Sequence, residues 1–409
     1  MAGPATSDHI MIVGASLAGA KAAETLRTEG FEGDIMLIGD EPLRPYERPP
    51  LSKWYLQGEA ERDEAFVHDE AFYDEHRVET QLGTRVTALD AGARRLVLDG
   101  ADDLAYDWLI LATGGRPRML PLPGADLPGV VTLRTLQDAD RLRDLFAKGP
   151  RLVVIGAGFI GCEVAASARK LGLGVTVLEV ADVPLELALG REVGARYAQL
   201  HRDHGVDLRT GVRVQAIRGD DAVERVALAD GTEIDADVVV MGVGMAPNTE
   251  LAEQAGLEVD NGVVCDERLR TSDEWIWACG DVASAYHPLY ERHLRIEHWA
   301  NALNQSQACA KSLLGESEPY DRVPYFYSDQ YDVSMEYVGF GEGYDRVIFR
   351  GDLDGFEVTA FYLRQGRLLA AMPVGRHDDV EPAKALIAAR ATPEEPQLAD
   401  PGIPLADLG

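Results

Sequence analysis

The stretch that most limits what this chain can become is LVVIGAGFIGCEVAASARKLGLGVTVLE, Leu152 to Glu179. Leu152 to Ile155 is apolar and short enough for a buried parallel strand, and Gly156, Gly158 and Gly161 then complete G-x-G-x-x-G where such a strand turns into a helix. In this pattern the first glycine permits a tight turn, the second lets the backbone close on a pyrophosphate, and the third lets helix and strand pack closely. The free N–H groups of the helix N-terminus face the phosphates. The helix is expected to stop near Gly172 and Gly174, and the strand Val175 to Leu178 delivers Glu179, 21 residues after Gly158. A carboxylate there accepts hydrogen bonds from ribose hydroxyls and repels a 2′-phosphate. Val180, Ala181 and Asp182 bring no base, so the stretch favours NAD over NADP. A glycine fingerprint alone is weak, and a Gly-rich turn is the bland alternative; strand, helix and acid together make it a nucleotide site.

The same grammar occurs 142 residues earlier. A first strand at Ile10 to Val13 runs into Gly14-Ala15-Ser16-Leu17-Ala18-Gly19 and a helical stretch to about Glu29, with Ser16 where the second glycine is expected. Serine is small and its hydroxyl can donate to a phosphate, so it reads as a tolerated variant. Asp40, 26 residues after Gly14, is placed to reach an adenosine ribose, although an acid capping a strand-to-loop turn would look the same. Two such units in one chain point to two dinucleotides held face to face, most economically a flavin and a nicotinamide.

Composition narrows the remaining classes. At 409 residues and 46% hydrophobic, the chain is expected to form two or three domains with buried cores. A formal charge of −30 argues against a general nucleic-acid or membrane-surface binder, and an acidic partner would need a local basic patch. No apolar run reaches the length of a membrane span and no signal segment precedes His9, which makes a cytoplasmic location the expectation. Cys162, Cys265, Cys279 and Cys309 lie far apart, so neither a disulfide framework nor a thiolate metal site is expected. His201 and His204 have helical spacing but no third ligand, and read as a solvated helix end; no metal site is assigned.

Between the two units, RPYERPPLSK (Arg44 to Lys53) is a proline-stiffened loop that opens a helix through Ser52 and places Arg48 and Lys53 in the cofactor-binding set; its alternative is a surface turn. Alternation around Val86 and at Arg95 to Leu98 suggests a small hairpin layer, and Leu109 to Leu111 a buried strand ending on Ala112-Thr113-Gly114. Arg134 precedes a helix. After the central unit, Val238 to Met245 mirrors the Leu109 segment, which implies that the second nucleotide domain is inserted in the first. Asp281 follows a further strand, Glu297 to Leu314 is a long amphipathic helix with Trp299 near its start, and from Tyr325 the pattern becomes three strands, a helix Pro382 to Ala389 and a loose tail. The expected division is residues 1–115 with 246–324, then 116–245, then 325–409.

RPYERPPLSK, LATGGRPR, VVIGAGFIGCEVA, TSDEWIWACGD and FYSDQYD together resemble the flavoprotein NADH:ferredoxin reductases of oxygenase systems, over nearly the whole chain. The resemblance implies an α/β, glutathione-reductase-like fold with two Rossmann-type dinucleotide-binding domains, one inserted in the other, plus a C-terminal α+β domain. It implies that Ala18, Asp40, Lys53, Val86, Arg134, Asp281 and Trp299 contact FAD, beside Gly14, Ser16 and Gly19 of the first loop. Gly156, Gly158, Gly161 and Glu179 hold NADH, and Glu163 stands beside the nicotinamide where it can pair with Lys53. Trp299, where the family varies, either shields the flavin or is a core tryptophan. Disulfide-reducing relatives carry a C-x-x-x-x-C pair at the place of Pro49 to Tyr55; no cysteine stands there, so electrons must leave the flavin directly.

The implied activity is transfer of electrons from NADH through FAD to a small, acidic iron–sulfur ferredoxin, bound transiently, that supplies a haem-thiolate monooxygenase or a Rieske dioxygenase. Rubredoxin reduction, NADH oxidase activity on the same fold, and an NADH-sensing flavoprotein acting by protein interaction stay open beside it. Arg292, His293 and Arg295 form the densest basic run for docking, or an ordinary solvated turn.

Overall fold

The structure, a computed structural model, describes residues 3–408, and these divide into two compact units. The first comprises residues up to Glu47, Asp63–Arg116 and Ala246–Pro324. Its centre is a five-stranded parallel sheet in the order Ile276–Ala278, Trp108–Leu111, His9–Val13, Asp34–Ile38, Val78–Gln81. Such strands are covered on both faces, which is why Ile10, Ile12, Leu109 and Ile110 read as unbroken apolar runs and are fully buried. The helix Leu17–Thr28 follows the first strand and packs against the long helix Trp299–Leu313. The expected hairpin layer is Val86–Asp90 paired antiparallel with Arg95–Leu98, extended by Leu104–Ala105.

The second unit comprises Arg48–Arg62, Pro117–Met245 and the C-terminal residues from Tyr325. It repeats the first design: a parallel sheet in the order Asp207–Arg209, Gly174–Leu178, Arg151–Ile155, Val238–Met241, Val130–Val131, with a separate antiparallel layer of Val214–Arg218, Arg225–Leu228 and Glu233–Asp235. The strand expected over Val238 to Met245 is two pieces, Val238–Met241 and Met245–Pro247, interrupted at Gly242 to Gly244. The chain leaves the first unit at Arg116 and returns to it at Ala246. Residues 48–62 cluster with the second unit, because Ser52 and Lys53 are anchored to the helix Phe159–Lys170.

From Tyr325 a five-stranded antiparallel sheet forms in the order Tyr325–Gln330, Val333–Gly339, Arg367–Val374, Glu357–Arg364, Arg346–Asp352, with the helix Val380–Ala388 packed on it. The first two strands, one overlapping the FYSDQYD segment and one directly after it, were not expected. The tail is not loose. Arg350, 3% exposed, donates to the carbonyls of Asp400 at 2.8 Å and Ile403 at 2.6 Å and binds the tail to the sheet. No helix among the described residues is long and apolar enough to cross a membrane.

Candidate active site

In the loop after Arg151–Ile155 the three glycines stand under different constraints. Gly156 has φ +98°, and a Cβ there would lie 2.4 Å from the Gly242 carbonyl oxygen; at Gly161 it would lie 2.0 Å from the Gly156 carbonyl oxygen. Both positions are fixed by the protein's own packing. Gly158 differs: its backbone is extended (φ −76°, ψ −174°) and a Cβ would meet nothing within 4 Å. Nothing within the chain demands a glycine there, whereas a pyrophosphate approaching the start of the helix Phe159–Lys170 would. Glu179, at the end of Gly174–Leu178, accepts the Ala157 N–H at 2.6 Å on Oε2 and the Ala181 N–H at 2.8 Å on Oε1. Its carboxylate is thereby held at the mouth of the loop.

On the same helix, one turn in, Glu163 is 3% exposed. Lys53 Nζ donates to its Oε2 at 2.8 Å and Ser52 Oγ to the same oxygen at 2.5 Å, while Ser328 Oγ donates to Oε1 at 2.7 Å. Lys53 is 5% exposed. A buried carboxylate and ammonium are tolerated only as a pair whose remaining lone pairs are satisfied, and Glu163 meets that condition with three donors. Lys53 Nζ also stands 5.5 Å over the Tyr327 ring. The pair expected between Lys53 and Glu163 is therefore formed. Sequence reasoning missed Ser52 and Ser328 as its partners; Ser328 lies 165 residues from Glu163, in a strand that mixes aromatic and polar residues and carries no local signal of the pairing.

Two further candidates share this unit. Arg48 donates to the Arg134 carbonyl, and Arg134 precedes the capping box in which Thr135 accepts the Asp138 N–H at 3.0 Å, opening the helix Leu136–Phe146. His201, read from sequence as a solvated helix end, is 2% exposed; burial pushes its pKa down to about 4 while the hydrogen bond with Gln330 acts against that. His204 is exposed and stacks on Tyr331, with ring centroids 3.6 Å apart.

In the first unit Gly14, Asp40 and Asp281 follow the C-terminal ends of parallel strands, where such sheets place their ligands. Gly14 has φ +121°, and a Cβ there would fall 2.0 Å from the Ala112 carbonyl oxygen; Gly19 is held by Gly14 as Gly161 is by Gly156. Ser16 precedes the helix Leu17–Thr28 in extended conformation with no side-chain cap. A Cβ on Gly280 would stand 3.0 Å from that of Ala18, which brings the turn carrying Asp281 against the first loop. Trp299 opens its helix half-buried, and its indole N–H is buried without a partner in the chain. A buried N–H left open suits an acceptor on a bound molecule. Beside it stands His298, which sequence reasoning did not single out; burial pushes its pKa down to about 4 against the pull of Asp281. Asp40 is exposed and 3.0 Å from Arg85, and Val86 is buried in the hairpin layer. Arg295 binds the Glu297 carboxylate and the Asp281 carbonyl and is largely buried, and Arg292 lies in an edge strand, Arg292–Leu294. Of the run Arg292, His293 and Arg295, read from sequence as a docking spot or an ordinary solvated turn, Arg295 is thus tied into the protein.

All four cysteines are buried and free, burial raises the Cys162 thiol well above its ordinary range, and the segment Pro49 to Tyr55 is a 3-10 turn, Pro49–Ser52, running into the short helix Trp54–Gln57. Among the described residues, no three His, Cys, Asp or Glu side chains are grouped to hold a metal.

Residues 8–306 match the family model of pyridine nucleotide-disulphide oxidoreductases, and residues 325–409 match the reductase C-terminal model. The chain belongs to the pyridine nucleotide-disulphide oxidoreductases. Within this family it is 41% identical to putidaredoxin reductase of Pseudomonas putida over 98% of this chain and 97% of that protein. It is 43% identical to the ferredoxin–NAD(+) reductase component of the anthranilate 1,2-dioxygenase system of Burkholderia cepacia, covering 98% and 99%. The solved covalent complex of putidaredoxin reductase with putidaredoxin superimposes with a TM-score of 0.95 at 41% identity, covering 98% of each chain. The glutathione-reductase-like fold and the C-terminal α+β domain read from sequence are those of this family. Its members are FAD enzymes, and the ferredoxin–NAD(+) reductases among them use NADH.

Proposed function

We propose that this protein is an NADH-dependent, FAD-containing reductase of a small acidic iron–sulfur ferredoxin that serves a haem-thiolate monooxygenase or a Rieske dioxygenase. The observation that carries the reading is the full-length similarity to ferredoxin reductases, coupled with a buried Lys53–Glu163 pair in place of a thiol relay. In the first unit, Gly14, Ser16, Ala18, Gly19, Asp40, Val86, Asp281 and Trp299 are assigned to FAD; the open indole N–H and the glycine cradle fit that group. In the second, Gly156, Gly158, Gly161 and Glu179 are assigned to NADH, and the empty space before Gly158 fits its pyrophosphate. Arg48, Lys53 and Arg134 are assigned to FAD by resemblance. The division into an FAD domain (1–115 and 246–324), an NADH domain (116–245) and a C-terminal domain (325–409) belongs to the same proposal.

Bound FAD supplies the change from a two-electron donor to one-electron acceptors. The chain's own residues supply orientation and charge. Glu163 fixes the position of the Lys53 ammonium at 2.8 Å in a buried site, and a fixed cation there favours negative charge developing nearby without reorganisation. Glu179 receives the adenosine ribose and disfavours a 2′-phosphate. A cytoplasmic location is proposed with this function, since its electron donor is a cytoplasmic metabolite.

The experiment is steady-state turnover of the purified flavoprotein with NADH. Fast cytochrome c reduction that requires an added 2Fe–2S ferredoxin supports the reading. Equally fast peroxide formation without a carrier means an oxidase, reduction through rubredoxin means the related carrier, and a long-lived reduced complex with slow turnover means a signalling flavoprotein.

A further inference from the structure

Behind Glu163 the C-terminal sheet contributes a line of polar side chains that the proposed activity does not by itself explain. Ser328 Oγ donates to Glu163 Oε1 at 2.7 Å, Gln330 Nε2 to Ser328 Oγ at 3.3 Å, and His201 Nε2 lies 2.9 Å from Gln330 Oε1. Tyr331 Oη stands 3.1 Å from His201 Nδ1. Ser328, Gln330 and His201 are each at most 2% exposed. Apolar side chains of the same volume would fill this space with equal or greater stability, so a buried polar line of this kind is informative.

Donor and acceptor rules fix its direction. An ionised carboxylate only accepts, so Ser328 must spend its proton on Glu163; its oxygen then accepts from the Gln330 amide, whose carbonyl requires a proton on His201 Nε2. His201 Nδ1 is left to accept from Tyr331. Every donor points toward Glu163, and burial, which favours the uncharged imidazole, agrees with a neutral His201.

We propose that Ser328, backed by Gln330 and His201, is a positioning residue that locks the Glu163 carboxylate so that its other oxygen presents Lys53 to the reacting centre. The C-terminal sheet is thereby part of the catalytic geometry. Without the Ser328 hydroxyl, Oε1 loses its donor and the carboxylate can turn among Ser52 and Lys53; small displacements of this kind cost rate, not binding.

This rests on the proposed role of the Lys53–Glu163 pair, and the test separates the two. Flavin bleaching by NADH is followed by anaerobic stopped flow in the holoenzyme. Ser328→Ala is expected to slow the limiting rate about tenfold or more with the NADH concentration dependence unchanged, and Ser328→Thr to restore it within threefold. Nitrogen-15 NMR of the histidine-labelled holoenzyme is expected to show His201 as the neutral Nε2–H tautomer, a form that Gln330→Met removes. A folded Ser328→Ala enzyme within twofold of wild type, failure of a folded Ser328→Thr enzyme to recover, or a wild-type His201 carrying its proton on Nδ1 overturns the inference. If Glu163→Gln is slow while Ser328→Ala is not, the pair keeps its role and only the inference falls. If Glu163→Gln is as fast as wild type, both fall.

Discussion

Substituting two glycines of one loop by alanine should separate what the fold needs from what the ligand needs. At Gly158 the backbone suits any residue and a Cβ meets nothing within 4 Å. The entropy gain of Gly→Ala, about 0.4–1 kcal/mol, is offset by the poorer N-cap preference of alanine, a comparable amount. The net change is within about 1 kcal/mol, or at most about 4 °C in Tm for a unit of this size. At Gly156 the same methyl must adopt φ +98° and sit 2.4 Å from the Gly242 carbonyl oxygen. Backbone strain of about 1–3 kcal/mol with that overlap gives a loss of about 3 kcal/mol or more, and a Tm lower by roughly 6–12 °C. Affinity follows the opposite order, because the Gly158 methyl fills the space assigned to the pyrophosphate. Losing one charge-assisted hydrogen bond, about 1.5–3 kcal/mol, weakens NADH about 10- to 150-fold. Thermal melts and the concentration dependence of anaerobic flavin reduction read both quantities. A Gly158→Ala enzyme that binds NADH within twofold of wild type would refute the assignment of that space.

The other perturbations act on charge. Lys53→Met leaves Glu163 buried with two hydroxyl donors, which costs about 3–5 kcal/mol; the melt should fall accordingly, and adding Glu163→Gln should recover part of it, so strict additivity of the two losses would refute the pairing. Glu179→Ala should raise the KM for NADH and narrow the preference over NADPH; an unchanged ratio removes Glu179 from the ribose site. His201 titrates near pH 4 when folded and about 6.5 when unfolded. The unfolded chain therefore binds more protons between those values, and the associated stability, on the order of 3 kcal/mol, is complete above pH 6.5 and lost as the pH falls to 4. His201→Gln should flatten this part of the stability–pH curve, and an unchanged slope would show that the imidazole does not stay neutral.

Where a single local rule decides, the sequence was sufficient. Both glycine loops, their flanking strands and the acid at Glu179 follow from periodicity and glycine chemistry, and the structure places each within a residue or two. The first strands of the C-terminal sheet escaped because Tyr325–Gln330 mixes aromatic and polar residues, and their burial depends on partners far along the chain. His201 was misread for a related reason. Helical spacing with His204 looks like a wet helix end until Gln330 arrives from 129 residues away to bury it. Likewise, Arg295 looks like a docking cation in one dimension and is a tether to Glu297 and the Asp281 turn in three.

The two loops also test each other. Their first and third glycines, Gly14 with Gly19 and Gly156 with Gly161, are each forced by backbone atoms of the chain, so packing alone retains them. Of the three fingerprint positions they diverge at the middle one, Ser16 against Gly158, and both of these residues have extended backbones that any side chain can adopt. At Gly158 the chain itself imposes no packing constraint, so under the proposed assignment the ligand would decide the residue there. A serine tolerates a phosphate at hydroxyl distance and adds a donor, whereas a bare glycine admits closer approach of the backbone. That contrast is what two different dinucleotides, one retained and one exchanged at every turnover, would impose on two otherwise equivalent loops.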